Sequence, residues 1–260
     1  MMPSNSLTNT IHSNLKISHL LLLLTLAIVS TIFIEHSALD VAFSHLFYQN
    51  GQWLIEKNMQ PFRFIFYDLP KTLIILLGIY LLINLIVKKW FQSKISHLSS
   101  AQLVNLQPVT THFPKPRLLR GLLPLNNKEL GFLLLTLIVV PSVIASLKAI
   151  THVSCPNHLL LFDGELPYLS LWQDILSNNS AKCFPAAHAS AGFALYAFAY
   201  LPRYTQHKFK IILFVTLLAW TMGLYKIMIG DHFFSHTLVS MWLSWAVVYF
   251  IALMFFRRQN

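Results

Sequence analysis

A chain of 260 residues, 55% hydrophobic and only 11% charged, carries fewer than half the charged side chains of an average soluble domain, about 25%, and so lacks the charge to cover a soluble surface. Its net charge of +10 raises nucleic-acid binding, but that needs a soluble basic face, and the apolar stretches leave little chain to build one. Two cysteines, Cys155 and Cys183, are too few for a disulfide scaffold and lack the paired spacing of a zinc ribbon.

In chain order, six segments approach the ~20 apolar helical residues that span a hydrocarbon core about 30 Å thick. The first, Ile17 to Ile34, follows Lys16. It is long for a signal sequence and no small-x-small cleavage site follows, so it is read as an uncleaved helix. Ala38 to Trp53 mixes Phe, Leu, Trp and polar residues, which predicts an interfacial amphipathic helix with Tyr48 and Trp53 at headgroup level. The second span is Phe64 to Val87. A basic loop, Lys88 to Lys128, is expected to be solvated against anionic headgroups. The third span, Leu130 to Leu147, contains Pro141 and is expected to kink there. Ala187 to Pro202 is the weakest candidate, since it opens on small and polar residues and a histidine. Ile211 to Ile229 and Thr237 to Phe256 complete the set. The prediction is an all-α, integral membrane bundle of six transmembrane helices forming one domain over 1–260.

Orientation follows from the Lys/Arg bias of the connecting segments. With six spans, the side holding the termini carries thirteen Lys and Arg with Glu129 as its single acid; the other carries six against eight acids. The termini are therefore expected in the cytoplasm. Ionisable residues at membrane depth are functional hypotheses by default, and Lys148, His188, Lys226, His232 and His236 all fall at the non-cytoplasmic ends of spans three to six.

These residues form three motifs: Lys148-x6-Cys155-Pro156, then Pro185-Ala186-Ala187-His188, then Tyr225-Lys226-x5-His232-x3-His236. In order and spacing they resemble the type 2 phosphatidic acid phosphatases (PAP2, acid phosphatase/vanadium haloperoxidase superfamily), whose signatures read Lys-x6-Arg-Pro, Pro-Ser-Gly-His and Ser-Arg-x5-His-x3-Asp. The resemblance has motif support over 130–256; the first two spans agree in topology only. Several positions depart from the pattern. Cys155 replaces an Arg, Ala186 and Ala187 replace Ser and Gly, Lys226 keeps the charge of an Arg without its planar fork, and His236 replaces an Asp. The run Gly230-Asp231-His232-Phe233-Phe234-Ser235-His236 is similar to a bacterial subgroup with Cys-Pro in the first motif and a second His in the third.

The residue types suit phosphoryl transfer on their own terms. Charge on the non-bridging oxygens calls for fixed cations, an in-line nucleophile and an acid for the departing oxygen. Lys148 and Lys226 supply cations, and a neutral imidazole is a competent nucleophile near pH 7. The resemblance implies His232 as nucleophile, His188 as the acid that then activates water, and Ala187 at the phosphate-binding backbone. His236 lies on the same helical face as His232 and is positioned to orient it. A neutral acceptor supports a developing imidazolium less than a carboxylate does, which predicts either a slower enzyme or help from Asp163, Asp174 or Asp231.

The resemblance implies a lipid phosphatase without cofactor, in a bacterial cytoplasmic membrane, its active site facing the periplasm or exterior. Its substrate is a lipid phosphate monoester or pyrophosphate: lipid A, phosphatidic acid, phosphatidylglycerol phosphate and undecaprenyl pyrophosphate all fit. No nucleic acid or obligate protein partner is inferred. A lipid-to-lipid phosphotransferase is the alternative within the family. A transporter or assembly subunit expects paired mid-span charges and internal repeats, which the sequence does not show. His232-x3-His236 has the spacing of helical zinc ligands, but no Glu follows His232 as in metalloproteases, and no metal is assigned. Cys155 and Cys183 each stand beside a motif in one outer loop, and a disulfide between them is expected where the compartment permits it. Asn178-Asn179-Ser180 matches a glycosylation triplet, a frequent chance pattern.

Overall fold

The computed structural model describes residues 15–35, 37–96, 124–177 and 180–257. Residues 97–123, which hold most of the basic loop, and 178–179 of the glycosylation-type triplet lie outside them. The chain is mostly helical: α1 (Ile17–Phe33), α2 (Ala38–His45), α3 (Leu69–Ser96, entered through a π-helical turn, Phe64–Asp68), α4 (Asn127–Thr151), α5 (Leu171–Ser177), α6 (Ala187–Phe193, continued by a 3-10 helix, Ala194–Tyr200), α7 (Lys208–Met228) and α8 (Phe234–Phe256).

Four helical stretches are long and apolar enough to cross a membrane: Phe64–Trp90, Asn127–His158, Pro202–Met228 and Phe234–Phe256. A fifth results if α1 and α2 are counted as one broken span. This is compatible with an integral membrane protein but does not reach the six spans expected. The difference lies chiefly at Ala187 to Pro202. Seven α-helical and seven 3-10 residues rise only about 24 Å together, short of the hydrocarbon thickness.

Its burial explains the composition. Ala189, Phe193, Ala194, Tyr196, Ala197 and Ala199 are buried, and the segment packs against α4, α7 and α8. A segment enclosed by protein needs small residues for close approach rather than a lipid-facing apolar surface. A Cβ added at Gly192 would lie 2.9 Å from that of Ala219 on α7. By contrast α1 and α3 expose Leu21, Leu22, Ile32, Leu73 and Ile79, as lipid-facing helices do.

α4 starts earlier than the apolar run because Asn126 and Glu129 form a reciprocal capping box: each accepts the other's backbone N–H at 2.8 Å. It runs through Pro141 as one helix and carries Lys148 in its last turn, where a cation suits the helix dipole.

The expected amphipathic helix over Ala38 to Trp53 is instead α2 followed by a two-stranded hairpin, β1 (Tyr48–Gln49) paired antiparallel with β2 (Gln52–Trp53). Asn50 and Gly51 take positive φ, 53° and 77°, the backbone that an Asn-Gly two-residue turn supplies. Tyr48 meets Phe162 of the loop between α4 and α6 edge-on at 5.3 Å and Trp53 meets it tilted at 5.2 Å, so these rings pack on protein.

Candidate active site

The three motifs belong to different elements, and hydrogen bonds bind them together. The Cys183 N–H donates to Val153 O at 2.9 Å, the Asn157 N–H to Gly230 O at 2.9 Å, and the Ala186 N–H to His236 O at 3.1 Å. The Thr151 hydroxyl donates to Phe184 O. The structure pairs Cys155 with Cys183, Cα atoms 5.2 Å apart, so the cysteine that stands at the missing Arg ties the first motif to the second.

The third motif is shaped by the turn between α7 and α8. The N–H groups of Asp231 and His232 both donate to Lys226 O, at 2.9 and 3.3 Å, closing the end of α7 around Gly230 at φ 74°. Gly230 also permits Trp53 to lie against the turn, where a Cβ would collide with the indole. His232 thus emerges just before α8, and His236 follows within its first turn. The Asp40 carboxylate accepts the Ser235 N–H at 2.8 Å, capping the start of α8 from α2.

Three imidazoles form the centre. His188 and His232 stack almost parallel, 5° between planes and 5.3 Å between centroids. His236 meets His232 at 66°, with their Nδ1 atoms 3.5 Å apart. The Nε2–H of His188 is positioned to donate to Met222 O at 3.0 Å. His232 is 3% exposed and His236 fully buried. Burial foremost, then the neighbouring rings of His188 and His236 and the charges of Lys148 and Lys226, push the His232 imidazole well below its ordinary value, so it is neutral at pH 7.

The lysines converge on the same centre. Lys148 is near enough to Lys226 and His232 for their charges to interact. Lys226 Nζ lies 2.7 Å from Asp231 Oδ2 and Lys57 Nζ 3.1 Å from Asp231 Oδ1. Burial opposes ionisation of Asp231, but Lys226 and Lys57 outweigh it and hold the carboxyl below the ordinary carboxylate range. Ala187 opens α6 next to His188, and both line a cavity of about 270 Å³ with Tyr67, Lys71, Pro141 and Met222. A larger cavity, about 620 Å³, lies between α1, α4 and α8 with Glu35, Phe184 and Leu243 in its wall. It adjoins His236's surroundings, whereas the smaller one reaches His188.

Three acids expected to support His232 are engaged elsewhere. Asp163 accepts the Tyr48 hydroxyl at 2.5 Å. Asp174 accepts the backbone N–H and hydroxyl of Ser154 at 3.0 and 3.2 Å. Asp231, though adjacent in sequence, is held by the lysines. Residues that the motifs do not reveal also join the centre. The Tyr67 ring, presented by the π-helical turn, lies 4.7 Å from Lys226 Nζ and 6.0 Å from the His188 ring. Glu35 Oε1 lies 3.8 Å from His236 Nε2. Among the described residues, no three His, Cys, Asp or Glu side chains group as a metal site.

The chain is thus a helical bundle, compatible with a membrane, in which buried histidines and lysines meet at the helix ends. Residues 129–260 match the family model described as PAP2 superfamily, and the chain belongs to that superfamily. Its members are phosphatases, which supports a phosphoric ester hydrolase acting on phosphorylated lipids. Comparison with curated proteins gives no match, and neither does comparison with solved structures.

Proposed function

We propose that the protein is a membrane lipid phosphatase that works through a phosphohistidine on His232. The observation that carries this reading is the packing of a neutral, buried His232 between a stacked His188 and an orienting His236, with Lys148 and Lys226 in electrostatic range. A phosphate bound there has its anionic oxygens met by two ammonium groups and by backbone N–H groups at the start of α6 near Ala187.

His232 Nε2 attacks phosphorus, forming the N–P bond as the P–O bond to the lipid breaks, and His188 gives its proton to the departing oxygen. The negative charge of the incoming phosphate favours a protonated His188 beside it. A water then attacks the phosphorus, passing its proton to His188 as the N–P bond breaks, which returns both imidazoles to their starting states.

The substrate is a phosphate monoester or pyrophosphate on an acyl or isoprenoid lipid whose tail stays in the bilayer. The Lys/Arg bias of the connecting segments supports cytoplasmic termini and a site facing the outer side of a bacterial cytoplasmic membrane. The test is phosphate release by protein purified in detergent over a panel of lipid phosphates. His232→Ala is expected to lower kcat at least about 10³-fold, and His188→Ala by about 10²- to 10⁴-fold. Wild-type rates in both variants, or no turnover of any lipid phosphate, overturn the reading.

A further inference from the structure

We propose that Glu35, in the part of the chain that the family model does not cover, is a positioning residue that completes a Glu35–His236–His232 relay. The proposal rests on the phosphatase reading above and deepens it, by naming what holds the nucleophile.

The geometry runs as a chain through two imidazoles. His236 Nδ1 faces His232 Nδ1 at 3.5 Å, and its other nitrogen, Nε2, lies 3.8 Å from Glu35 Oε1. Both side chains of the latter pair are wholly inaccessible. One tautomer assignment satisfies the whole line. His236 Nε2–H points its proton at the carboxylate, which leaves His236 Nδ1 as an acceptor. His232 Nδ1–H then donates to it, and the lone pair of His232 Nε2 is left for phosphorus. Any other tautomer of His236 puts a hydrogen on Nδ1 and sets two N–H groups against each other, or turns the His232 lone pair away from the substrate. Glu35 therefore selects the reactive tautomer one residue removed from it.

It also answers the electrostatic problem of a neutral acceptor. When the N–P bond forms, His232 becomes cationic, and His236 alone offers only a dipole. A carboxylate behind His236 polarises that imidazole toward His232, as the buried acid of a Ser-His-Asp triad does for its histidine. Hydrogen bonds of this kind often close in the loaded site. No proton needs to leave His232 Nδ1 during the cycle, so the relay adds no species to the reaction balance.

The fold fixes Glu35 for this task. Its N–H donates to Ser30 O at the end of α1, and α1 packs along α8. At the far end of that helix pair, the Tyr249 hydroxyl donates to Lys16 O at 3.0 Å. Asp40, five residues after Glu35, caps α8 through the Ser235 N–H. The carboxylate is thus registered against the first turn of α8, where His236 stands.

The test is a double-variant cycle in detergent-solubilised full-length protein, reading kcat and KM for lipid phosphate release. In His236→Asp, an aspartate oxygen takes the place of Nδ1, since both atoms are two bonds from Cβ, and a carboxylate then meets His232 directly. Glu35→Gln, an isosteric change, is expected to lower kcat by about 10- to 100-fold with KM within about threefold. In the His236→Asp background the same change is expected to cost at least tenfold less. Equal losses in both backgrounds make Glu35 merely structural and overturn the relay, as does full kcat in Glu35→Gln. Should Glu35→Gln alone fail to fold by its thermal melt while Glu35→Gln/His236→Asp folds and turns over, the carboxylate's partner is His236, as proposed; failure of both to fold overturns the positioning role. No turnover by the wild-type chain overturns the phosphatase reading itself, a result separable from all of these.

Discussion

On the proposed mechanism, His232 would owe its reactivity to where it is buried. Its imidazole is pushed well below the ordinary value, by burial first and then by cationic neighbours. A depressed base loses its neutral form only when the pH falls through the lowered value, so the nucleophile stays unprotonated through pH 6.5, where a free histidine is half charged. The acid limb of kcat/KM is therefore expected below pH 6.5, measurable as a pH–rate profile of the free enzyme; an acid limb at or above 6.5 would show an ordinary imidazole. Asp231 sharpens the contrast. It neighbours His232 in sequence, yet its carboxyl is held ionised by Lys226 and Lys57, and so it restrains these two lysines instead of the His232 imidazole. Lys148, His188, Lys226, His232 and His236 were legible because fixed spacings carry them. Glu35, Lys57 and Tyr67 were not, because they enter from segments distant in sequence and their meeting with the motifs depends on how α1, the segment between the hairpin and α3, and the π-helical turn pack.

Of the helices that carry the motifs, α4, α7 and α8 are long and α6 is short. α6 has only seven residues before it tightens into a 3-10 helix, and its small side chains let α7 approach at Gly192. Hydropathy reads lipid exposure, so it located the exposed helices readily and understated a segment walled in by protein. The hairpin after α2 was written in Asn50-Gly51, but a mixed apolar and polar composition also fits an interfacial helix, and only the paired backbone decides. The loop from α4 to α6 has little regular structure to hold it, and the Cys155–Cys183 pairing is placed to do so. Breaking it by Cys155→Ser is expected to lower unfolding stability by about 2 to 4 kcal/mol and to raise KM through a looser Lys148–His188 spacing. Alkylation of the folded, unreduced protein followed by mass measurement checks the premise: no label is expected, and two labelled cysteines refute the bond.

Charge is distributed unevenly over the molecule. The excess of +10 lies mostly on the segments that flank the helix ends opposite the motifs. Glu129, the one acid expected there, is buried at the start of α4 and pairs with Arg203 at 3.6 Å. That pair places the start of α4 beside the segment leaving the central 3-10 helix, while Lys148 and His188 stand together at the other ends of the same two elements. The central segment therefore carries the chain from the motif side to the basic side within the shelter of α4, α7 and α8, although it is too short and too small-sided to face lipid as a span of its own. This makes topology testable at two points on either side of it. With the native cysteines paired and silent, Lys182→Cys and Lys210→Cys report the motif side and the basic side respectively; Lys182 lies just before the second motif and Lys210 in the first turn of α7, and both are exposed. In intact bacterial cells, a membrane-impermeant maleimide is expected to label Lys182→Cys and to label Lys210→Cys only after the cells are opened. Labelling of both in intact cells means that the central segment does not cross, and the reverse pattern would turn the site toward the cytoplasm, where its lipid phosphates would have to come from the inner leaflet.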